Sequence, residues 1–390
     1  MVDDYIRFPD RDRQVDTATA TRWRVAENEL TRMLDELDAG KGSRSVELVM
    51  LPIETADANR TVDEICHATR EEGPWSYLVT TTPDADRKTV WAMPSTGGPP
   101  QNALVLLYAD LHTRMTSWLL AYGWRASQLA VASGHLADGK QTLPTAALVR
   151  PLVETSAAFF CDARKLADVW AEVKATGQPG PGNPGTVGRA RLMEVLDEIT
   201  WGAKFDAAGI PDDGLRRLPS RTNVLTQIKH LSRATDERLR PDYQWLCNTV
   251  HPSVGTTMMY AAPAMRHVAT HSHYTRTWSD SAVGIYNFRT GEFTRDESVE
   301  YATANAAIIA LESFSVTWDA AVRVVDDFAL TIRCGELIKD DYWRKIVATK
   351  RNEPCPCRSG LKAKKCPHDW DASPPAFPSD LGVRIDPSST

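Results

Sequence analysis

Three cysteines and a histidine lie close together near residue 360 and could bind a metal ion. Cys355 and Cys357 form a C-x-C pair, eight residues separate Cys357 from Cys366, and His368 follows two residues later. The C-x-C pair places two sulfurs on one side of an ion, and the eight-residue loop returns the other two groups to it. Three thiolates and one imidazole complete a tetrahedral Zn²⁺ shell that leaves no position for water. This spacing therefore predicts a structural zinc site rather than a catalytic one.

The residues around these cysteines favour metal binding over two alternatives. A redox dithiol is usually a C-x-x-C pair near a βαβ pattern, which this sequence lacks, and chance clustering is the other alternative. Three thiolates and a neutral imidazole around Zn²⁺ sum to a charge of −1, which nearby basic side chains offset while favouring the thiolate form. These side chains are Lys350, Arg351, Arg358, Lys362, Lys364 and Lys365. A module this small also needs a staple, because it cannot bury a useful core.

The run RNEPCPCRSGLKAKKCPH, residues 351–368, resembles the SEC-C motif, a zinc-binding element first described at the C-terminus of the SecA family of preprotein translocase ATPases. The matching positions are Arg351, Asn352, Glu353, Pro354, Cys355, Pro356, Cys357, Ser359, Gly360, Lys362, Lys364 and Cys366. Three positions depart from the usual pattern. Arg358 replaces a glycine, Leu361 replaces a lysine, and Pro367 displaces the final ligand, His368, by one position.

This resemblance implies an interaction module and no particular reaction. In the SecA family the motif contacts a chaperone and the ribosome, and it is attached to many unrelated bacterial proteins. It implies that the basic zinc-binding module at residues 350–370, which we call the zinc tip, docks on a protein or ribonucleoprotein partner. The rest of the chain has no Gly-rich phosphate loop, so it does not resemble an ATPase of that family.

A second group of candidate residues comes from RPLVET (150–155) and YQWLCNTVHPS (243–253). The pattern is similar to an uncharacterised bacterial helical family with an R-x-x-x-E helix and a Y-x-x-L-S/C-x-x-x-H-P segment. The matching positions are Arg150, Glu154, Tyr243, Cys247 and His251. We take Arg150, Glu154 and His251 as the candidate catalytic residues of the helical body, residues 1–349.

These residues allow two interpretations. In a catalytic one, Arg150 and His251 form a site for an anion or an RNA phosphate, as in HEPN-type ribonucleases, where arginine holds phosphate and histidine performs acid–base chemistry. In a structural one, Arg150 and Glu154 form an i,i+4 ion pair and His251 closes a helix at its C-terminus. The residues favour the structural interpretation, and the sequence leaves open whether the body is an enzyme. The alternative to an interaction protein is a HEPN-like ribonuclease or an enzyme of the phage-defence or abortive-infection type, with the zinc tip as its targeting element.

The segment RTVDEICH (60–67) contains a weaker signal of the same kind. Arg60 and His67 fit the R-x₄₋₆-H spacing of HEPN ribonucleases, but the chain has nine histidines and many arginines, so chance explains this match well. Glu64 and His67 form an E-x-x-H. A di-iron site needs a second such motif, which the sequence lacks.

The segment RHVATHSHY (266–274) could place two imidazoles on one helix face. His267 and His271 are four residues apart, a spacing that could bind metal on a helix, and His273 follows. The glutamate of an H-E-x-x-H zinc motif is missing. A solvated or hydrogen-bonded histidine cluster is the favoured alternative.

Periodicity predicts a mainly α fold, a multi-helix body with a small β-hairpin element. Apolar spacing and capping signals predict helices at about 14–39, 57–72, 104–122, 125–137, 143–175, 189–207, 220–238, 242–250, 297–332 and 336–349. The run 45–54 is either a strand or the start of a buried helix. The runs 75–83 and 88–94 are β-prone and predict the hairpin, and 274–293 looks irregular or β.

The predicted organisation is a helical body at 1–349, the zinc-stapled SEC-C module at 350–370 and a loose tail at 371–390. The tail is predicted because four prolines and mostly small or polar residues follow Trp370. The Gly- and Pro-rich run 177–188 is either a lobe boundary or a mobile loop.

Charge and apolar content restrict the function classes further. The net charge is −6, with +2 in residues 350–390, which leaves −8 elsewhere, so the chain as a whole is not a general nucleic-acid binder. RNA is an expected partner only under the ribonuclease interpretation. No apolar run is long enough for a membrane span and no signal peptide is visible, so we expect a cytoplasmic protein.

Overall fold

Helices make up most of the part of the chain that the structure, a computed structural model, describes. The described residues are 16–40, 49–54, 75–81, 87–94, 99–139, 141–176, 186–202, 221–251, 261–268, 270–278, 284–287, 292–295, 298–332, 338, 352–353, 362 and 374–385. Within these ranges the seven helices are α1 Thr17–Gly40, α2 Pro99–Asp138, α3 Thr142–Ala175, α4 Thr186–Trp201, α5 Val224–Ala234, α6 Leu239–Val250 and α7 Ser298–Ile332. The mainly helical class predicted from the sequence is confirmed.

Short antiparallel strands accompany the helices. They are β1 Val49–Glu54, β2 Trp75–Thr81, β3 Arg87–Pro94, β4 Ala261–Val268, β5 His271–Trp278, β6 Gly284–Asn287 and β7 Glu292–Arg295. The first three form a sheet in the order β1-β3-β2, in which Trp75 of β2 pairs with Pro94 of β3. β4 pairs with β5, and β6 pairs with β7. Of the run 45–54, the described residues Val49–Glu54 form a strand.

Helix α7 occupies the centre of the helical core. Most of its residues from Ala302 to Ile332 are buried, and Ile308, Leu311 and Phe314 expose 1% or less of their surface. Helices α1, α2, α3 and α6 all pack against it. A helix that is apolar over most of its circumference is stable only when other elements cover those faces. The other helices are therefore arranged around α7.

Polar contacts tie two of the surrounding helices to α7 at defined points. On α1, the Arg22 Nε and Nη2 atoms donate to the two carboxylate oxygens of Glu312, both at 2.6 Å. On α3, Lys174 Nζ lies 3.1 Å from Asp327 Oδ2, and Trp170 Nε1 donates to the same oxygen at 2.7 Å. The Lys174 side chain is 1% exposed. A charge this deeply buried requires a paired, hydrogen-bonded partner, so α3 and α7 are held in one register.

Helix α2 is continuous where the sequence predicts two helices, at 104–122 and 125–137. The expected break falls at Gly123, which lies in the middle of α2. A Cβ atom at this position would lie 2.7 Å from Leu34 Cδ2 and 2.9 Å from Trp318 Cζ3. The glycine therefore serves the close packing of α1 and α7 against α2, and the expectation of a break was wrong.

Other boundaries shift or lie outside the described residues. The last three residues of the predicted linker 177–188 belong to α4, which begins at Thr186, and 177–185 lie outside. The predicted helix at 57–72 also lies outside, as does 336–349 apart from Ile338. No helix within the described ranges combines the length and apolar character that crossing a lipid bilayer requires.

Residues 374–385, which we call the strap, pack against the body, so the expectation of a loose tail at 371–390 was wrong for this segment. The backbone amide of Leu381 donates to the Ala234 carbonyl at 2.8 Å, directly at the end of α5. The backbone amide of Ile385 donates to Asp236 Oδ2 at 2.9 Å. These bonds fix the strap beside the α5–α6 connection.

Side chains of the strap also complete the apolar core. Leu381, Val383 and Ile385 are buried, while the residues between them are exposed, as expected of an extended segment with one face on the core. The Phe377 ring lies 6.0 Å from the Phe160 ring of α3. The alternation of apolar and other residues in LGVRI (381–385) indicates this packing. The prolines and serines around this segment make the signal hard to recognise in the sequence.

A leucine in the strap should contribute to global stability. We expect Leu381→Ala to lower the free energy of unfolding by about 2–4 kcal/mol, because it removes apolar contacts and leaves a cavity. Urea denaturation followed by circular dichroism measures this change. The matched control is Arg384→Ala, an exposed strap position, which should change stability by about 0.5 kcal/mol or less. Equal, negligible effects of both substitutions would mean that the strap is not part of the core.

Candidate functional site

The structure brings together the two halves of the predicted body site. Arg150 and Glu154 lie one turn apart on α3, with Arg150 Nε 3.1 Å from Glu154 Oε1. His251 lies directly after α6, where its backbone amide donates to the Cys247 carbonyl at 3.1 Å. Its Nε2 atom is 3.3 Å from Arg150 Nη1. The three predicted residues therefore meet, although 101 positions of sequence separate Arg150 from His251.

Tyr243 holds the carboxylate of this group. Its hydroxyl donates to Glu154 Oε1 at 2.7 Å, so that oxygen accepts hydrogen bonds from both Tyr243 and Arg150. Burial raises the pKa of Tyr243 well above its usual value, and the hydrogen bond to Glu154 raises the pKa further. The phenol therefore stays protonated and acts as a donor. Cys247 lies beside it, so all five positions matched in the sequence are neighbours.

Arg150 remains a cation in this setting. Burial lowers the pKa of its guanidinium, but the hydrogen bond with Tyr243 and the nearby Cys247 and Glu154 raise the pKa by more. Its side chain is 27% exposed and His251 is exposed, so solvent reaches the pair. A guanidinium can hold an oxyanion, and an imidazole beside it can exchange a proton with the bound molecule. The carboxylate of Glu154 competes with such an anion for Arg150.

A cavity of about 800 Å³ adjoins this cluster between α2, α3, α4 and α5. Glu154 belongs to its wall, so the cavity and the Arg150 cluster share one residue. Three arginines also line it, Arg114 and Arg125 of α2 and Arg221 just before α5. Sequence reasoning missed all three. Only the spacing of Arg114 and Arg125, three helical turns apart on one face of α2, could have indicated a shared surface.

One of these arginines takes part in a buried cluster at the cavity wall. Arg221 Nη2 donates to Asp162 Oδ2 at 2.8 Å and also contacts the Tyr122 hydroxyl. The Tyr122 hydroxyl donates to the same Asp162 oxygen at 2.9 Å. Burial raises the pKa of Asp162 to about 6, although Arg221 lowers it. The cluster therefore connects α2 and α3 to the residues just before α5.

The predicted zinc ligands Cys355, Cys357, Cys366 and His368 lie outside the described residues. Their donor chemistry, three thiols and one imidazole, fits a tetrahedral Zn²⁺ shell. Among the residues that the structure does describe, no three His, Cys, Asp or Glu side chains are grouped so that they could hold a metal ion. Arg60, Glu64 and His67 also lie outside the described part.

The histidines at 267–273 do not lie on a helix, so the helix-face pair that the spacing of His267 and His271 allowed does not form. They belong to the antiparallel strands β4 and β5, where His267 pairs with Ser272 and His273 pairs with Arg266. His271 pairs with Val268 across the turn. The β-branched and aromatic residues in this stretch suit strands, and four-residue spacing has no helical meaning there.

Comparison with protein families supports the resemblance at the cysteine cluster. Residues 351–366 match the model of the SEC-C motif, which includes Cys355, Cys357 and Cys366 and ends before His368. The motif is generally zinc-binding. Comparison with curated proteins and with solved structures gave no match.

An acidic residue next to the Arg150 cluster carries an electrostatic cost. Asp242 precedes Tyr243 in the first turn of α6, and its Oδ2 atom is buried without a hydrogen-bond partner among the described residues. Burial raises the pKa of this carboxyl to about 7, although Arg238 lowers it. Because the folded pKa exceeds the usual value of 3.8, the folded state binds more protons between these two values. Asp242 therefore makes the fold less stable as pH rises from 4 to 7.

The substitution Asp242→Asn should remove this cost. We expect the variant to be more stable than the parent chain by about 1–2 kcal/mol at pH 8, with an advantage that shrinks as pH falls towards 4. Urea denaturation at pH 5.5 and pH 8 measures the difference. Asp380→Asn is the control, because hydrogen bonds in the strap lower the pKa of Asp380 and its replacement should give no gain at either pH. A pH-independent effect of Asp242→Asn would contradict the assignment.

Proposed function

We propose that this chain is a zinc-binding interaction protein whose SEC-C module docks on a protein or ribonucleoprotein partner. The observation that carries the proposal is the match of residues 351–366 to the SEC-C motif. In this proposal Cys355, Cys357, Cys366 and His368 hold one Zn²⁺. The bound ion supplies the cross-link that a module without its own core needs in order to fold.

Charge and anchoring support a docking role. Residues 350–390 carry +2 against −8 for the rest of the chain, so an acidic or phosphate-rich partner is drawn to the zinc tip. The chain is anchored on both sides of the motif. Before it, the Ile338 amide donates to Asp326 Oδ1 of α7 at 2.7 Å, and after it the strap packs on α3 and α5. The described residues on either side of the motif therefore both contact the body, which suits a docking element that belongs to the folded protein.

Point variants test this proposal better than truncation, because the strap that follows the motif belongs to the core. We expect purified protein to contain about one zinc per chain and to co-sediment with purified ribosomes in a salt-dependent manner. The double variant Cys355→Ser/Cys366→Ser should lose both zinc and co-sedimentation while its helical content is retained. The matched control, Cys161→Ser in the body, should retain both. Zinc-free wild-type protein, or equal binding by the double variant, would contradict the proposal.

A ribonuclease is the second candidate function. The observation that favours it is the 3.3 Å approach of Arg150 Nη1 to His251 Nε2, since a cation next to an exposed imidazole suits phosphate binding and proton exchange. Arg150 would hold the phosphate and His251 would transfer the proton. Glu154 and Tyr243 would position Arg150. In this scheme the zinc tip is a targeting element.

Removing either partner of this pair should abolish cleavage if the body is a ribonuclease. We expect Arg150→Ala and His251→Ala to lower the rate of cleavage of single-stranded RNA by about 100-fold or more. His230→Ala, an exposed histidine on α5, is the matched control and should leave the rate unchanged. Thermal unfolding verifies that each variant is folded. Folded variants that cleave at the wild-type rate, or a wild-type protein that does not cleave RNA, would exclude this function.

A further inference from the structure

We propose that the cavity between α2, α3, α4 and α5 is a binding site for a small amphipathic anion, a molecule with an apolar body and one oxyanion group. This inference is independent of the zinc module and of RNA cleavage. It rests on the size of the cavity, on its apolar floor and on one arginine in its wall.

The size and lining of the cavity suit a small organic molecule. Its volume of about 800 Å³ lies within the range of about 300–1,000 Å³ that is typical of such sites. Apolar side chains from three helices form most of its surface, among them Trp118 of α2, Ala158 of α3 and Ile199 of α4. Trp118, Ala158 and Ile199 are themselves buried in the body, at 4%, 9% and 3% exposure. Because packing in the core fixes these three side chains, the apolar floor is preformed, although each of them leaves only a small part of its surface open to a ligand.

Arg125 is the group that would bind the oxyanion. Its Nε atom donates to the Thr155 hydroxyl oxygen at 3.0 Å. The Thr155 hydroxyl donates its own hydrogen to the Pro151 carbonyl at 2.7 Å, so its oxygen is left to accept from Arg125. This chain of bonds fixes the base of the guanidinium at the cavity wall. Within the described residues, the Nη1 and Nη2 atoms of Arg125 bond to no carboxylate, and their fork suits an oxyanion.

The other two arginines of the wall are already neutralised, which is why we infer a ligand with one anionic group. Arg114 Nη2 lies 2.6 Å from Asp197 Oδ1. Arg221 Nη2 lies 2.8 Å from Asp162 Oδ2. A second anionic group on the ligand would have to displace one of these carboxylates. Arg125 therefore supplies the only uncompensated positive charge that the described wall offers to a ligand.

Fluorescence of 1-anilinonaphthalene-8-sulfonate, an aromatic anion, reports occupancy of the cavity in the full-length protein. Displacement of this probe by 1-naphthaleneacetate is compared with displacement by 1-naphthaleneacetamide, which has the same shape and no charge. We expect the acid to bind at least about tenfold more tightly than the amide, because only the acid pairs with Arg125. Inorganic phosphate alone should not displace the probe, because it lacks an apolar body.

Three variants test whether the acid and the amide bind in the cavity. Arg125→Gln should weaken binding of the acid by about tenfold or more and leave binding of the amide unchanged. Ala121→Trp, an exposed position on the cavity wall, should block both ligands by filling the space. The matched control is Arg164→Gln, an exposed arginine of α3 outside the cavity, which should bind like the wild-type protein.

Three outcomes would overturn the proposal. These are equal binding of acid and amide by the wild-type protein, wild-type affinity in Arg125→Gln, and no displacement of the probe at millimolar acid. The acid and amide comparison uses unaltered protein, so it decides the question even if a variant fails to fold. Zinc content and RNA cleavage do not enter these measurements, so this site can fail while the proposed function stands, and the reverse also holds.

Discussion

Enclosure of α7 is the constraint on which the rest of the described structure depends. Only a narrow stripe of this helix is polar, so α1, α2, α3 and α6 must cover the rest before it can be stable in water. Close approach is possible because small residues lie at the contacts, as Gly123 does on α2. The buried pair of Lys174 and Asp327 then allows only one register of α3 on α7, because any shift would leave a buried charge unpaired.

Helix α3, held in this way, carries both candidate sites of the body. Arg150 and Glu154 face the end of α6, and the next residue, Thr155, bonds Arg125 at the cavity. Pro151 lies between them and has no amide hydrogen to donate along the helix, while its carbonyl accepts from the Thr155 hydroxyl. The two sites therefore share one rigid element and one residue, Glu154. A ligand in the cavity would lie beside the carboxylate that holds Arg150.

The sequence predicts most helices because their apolar stripes are long and periodic, and it predicts the meeting of Arg150 with His251 because a spaced pattern links them. Prediction from the sequence fails where one residue type can serve two different structural roles. Gly123 resembles a helix break but serves close packing, and the prolines before Leu381 resemble a loose tail but precede a buried alternating segment. The cavity could not be predicted, because its wall combines Arg114 and Arg125 of α2 with Arg221 from a distant part of the chain, and these residues match no motif.

The strap has a consequence for the order in which the newly made chain can assemble. Arg22 of α1 cannot form its ion pair until Glu312 has been synthesised 290 residues later. At typical translation rates, synthesis of that stretch takes roughly 15–60 s. The strap is translated later still, after the cysteines of the zinc motif. The apolar core therefore stays incomplete until the chain has been made through the SEC-C motif and on to the strap. In vectorial synthesis, closure of the body thus follows synthesis of the motif and cannot precede it.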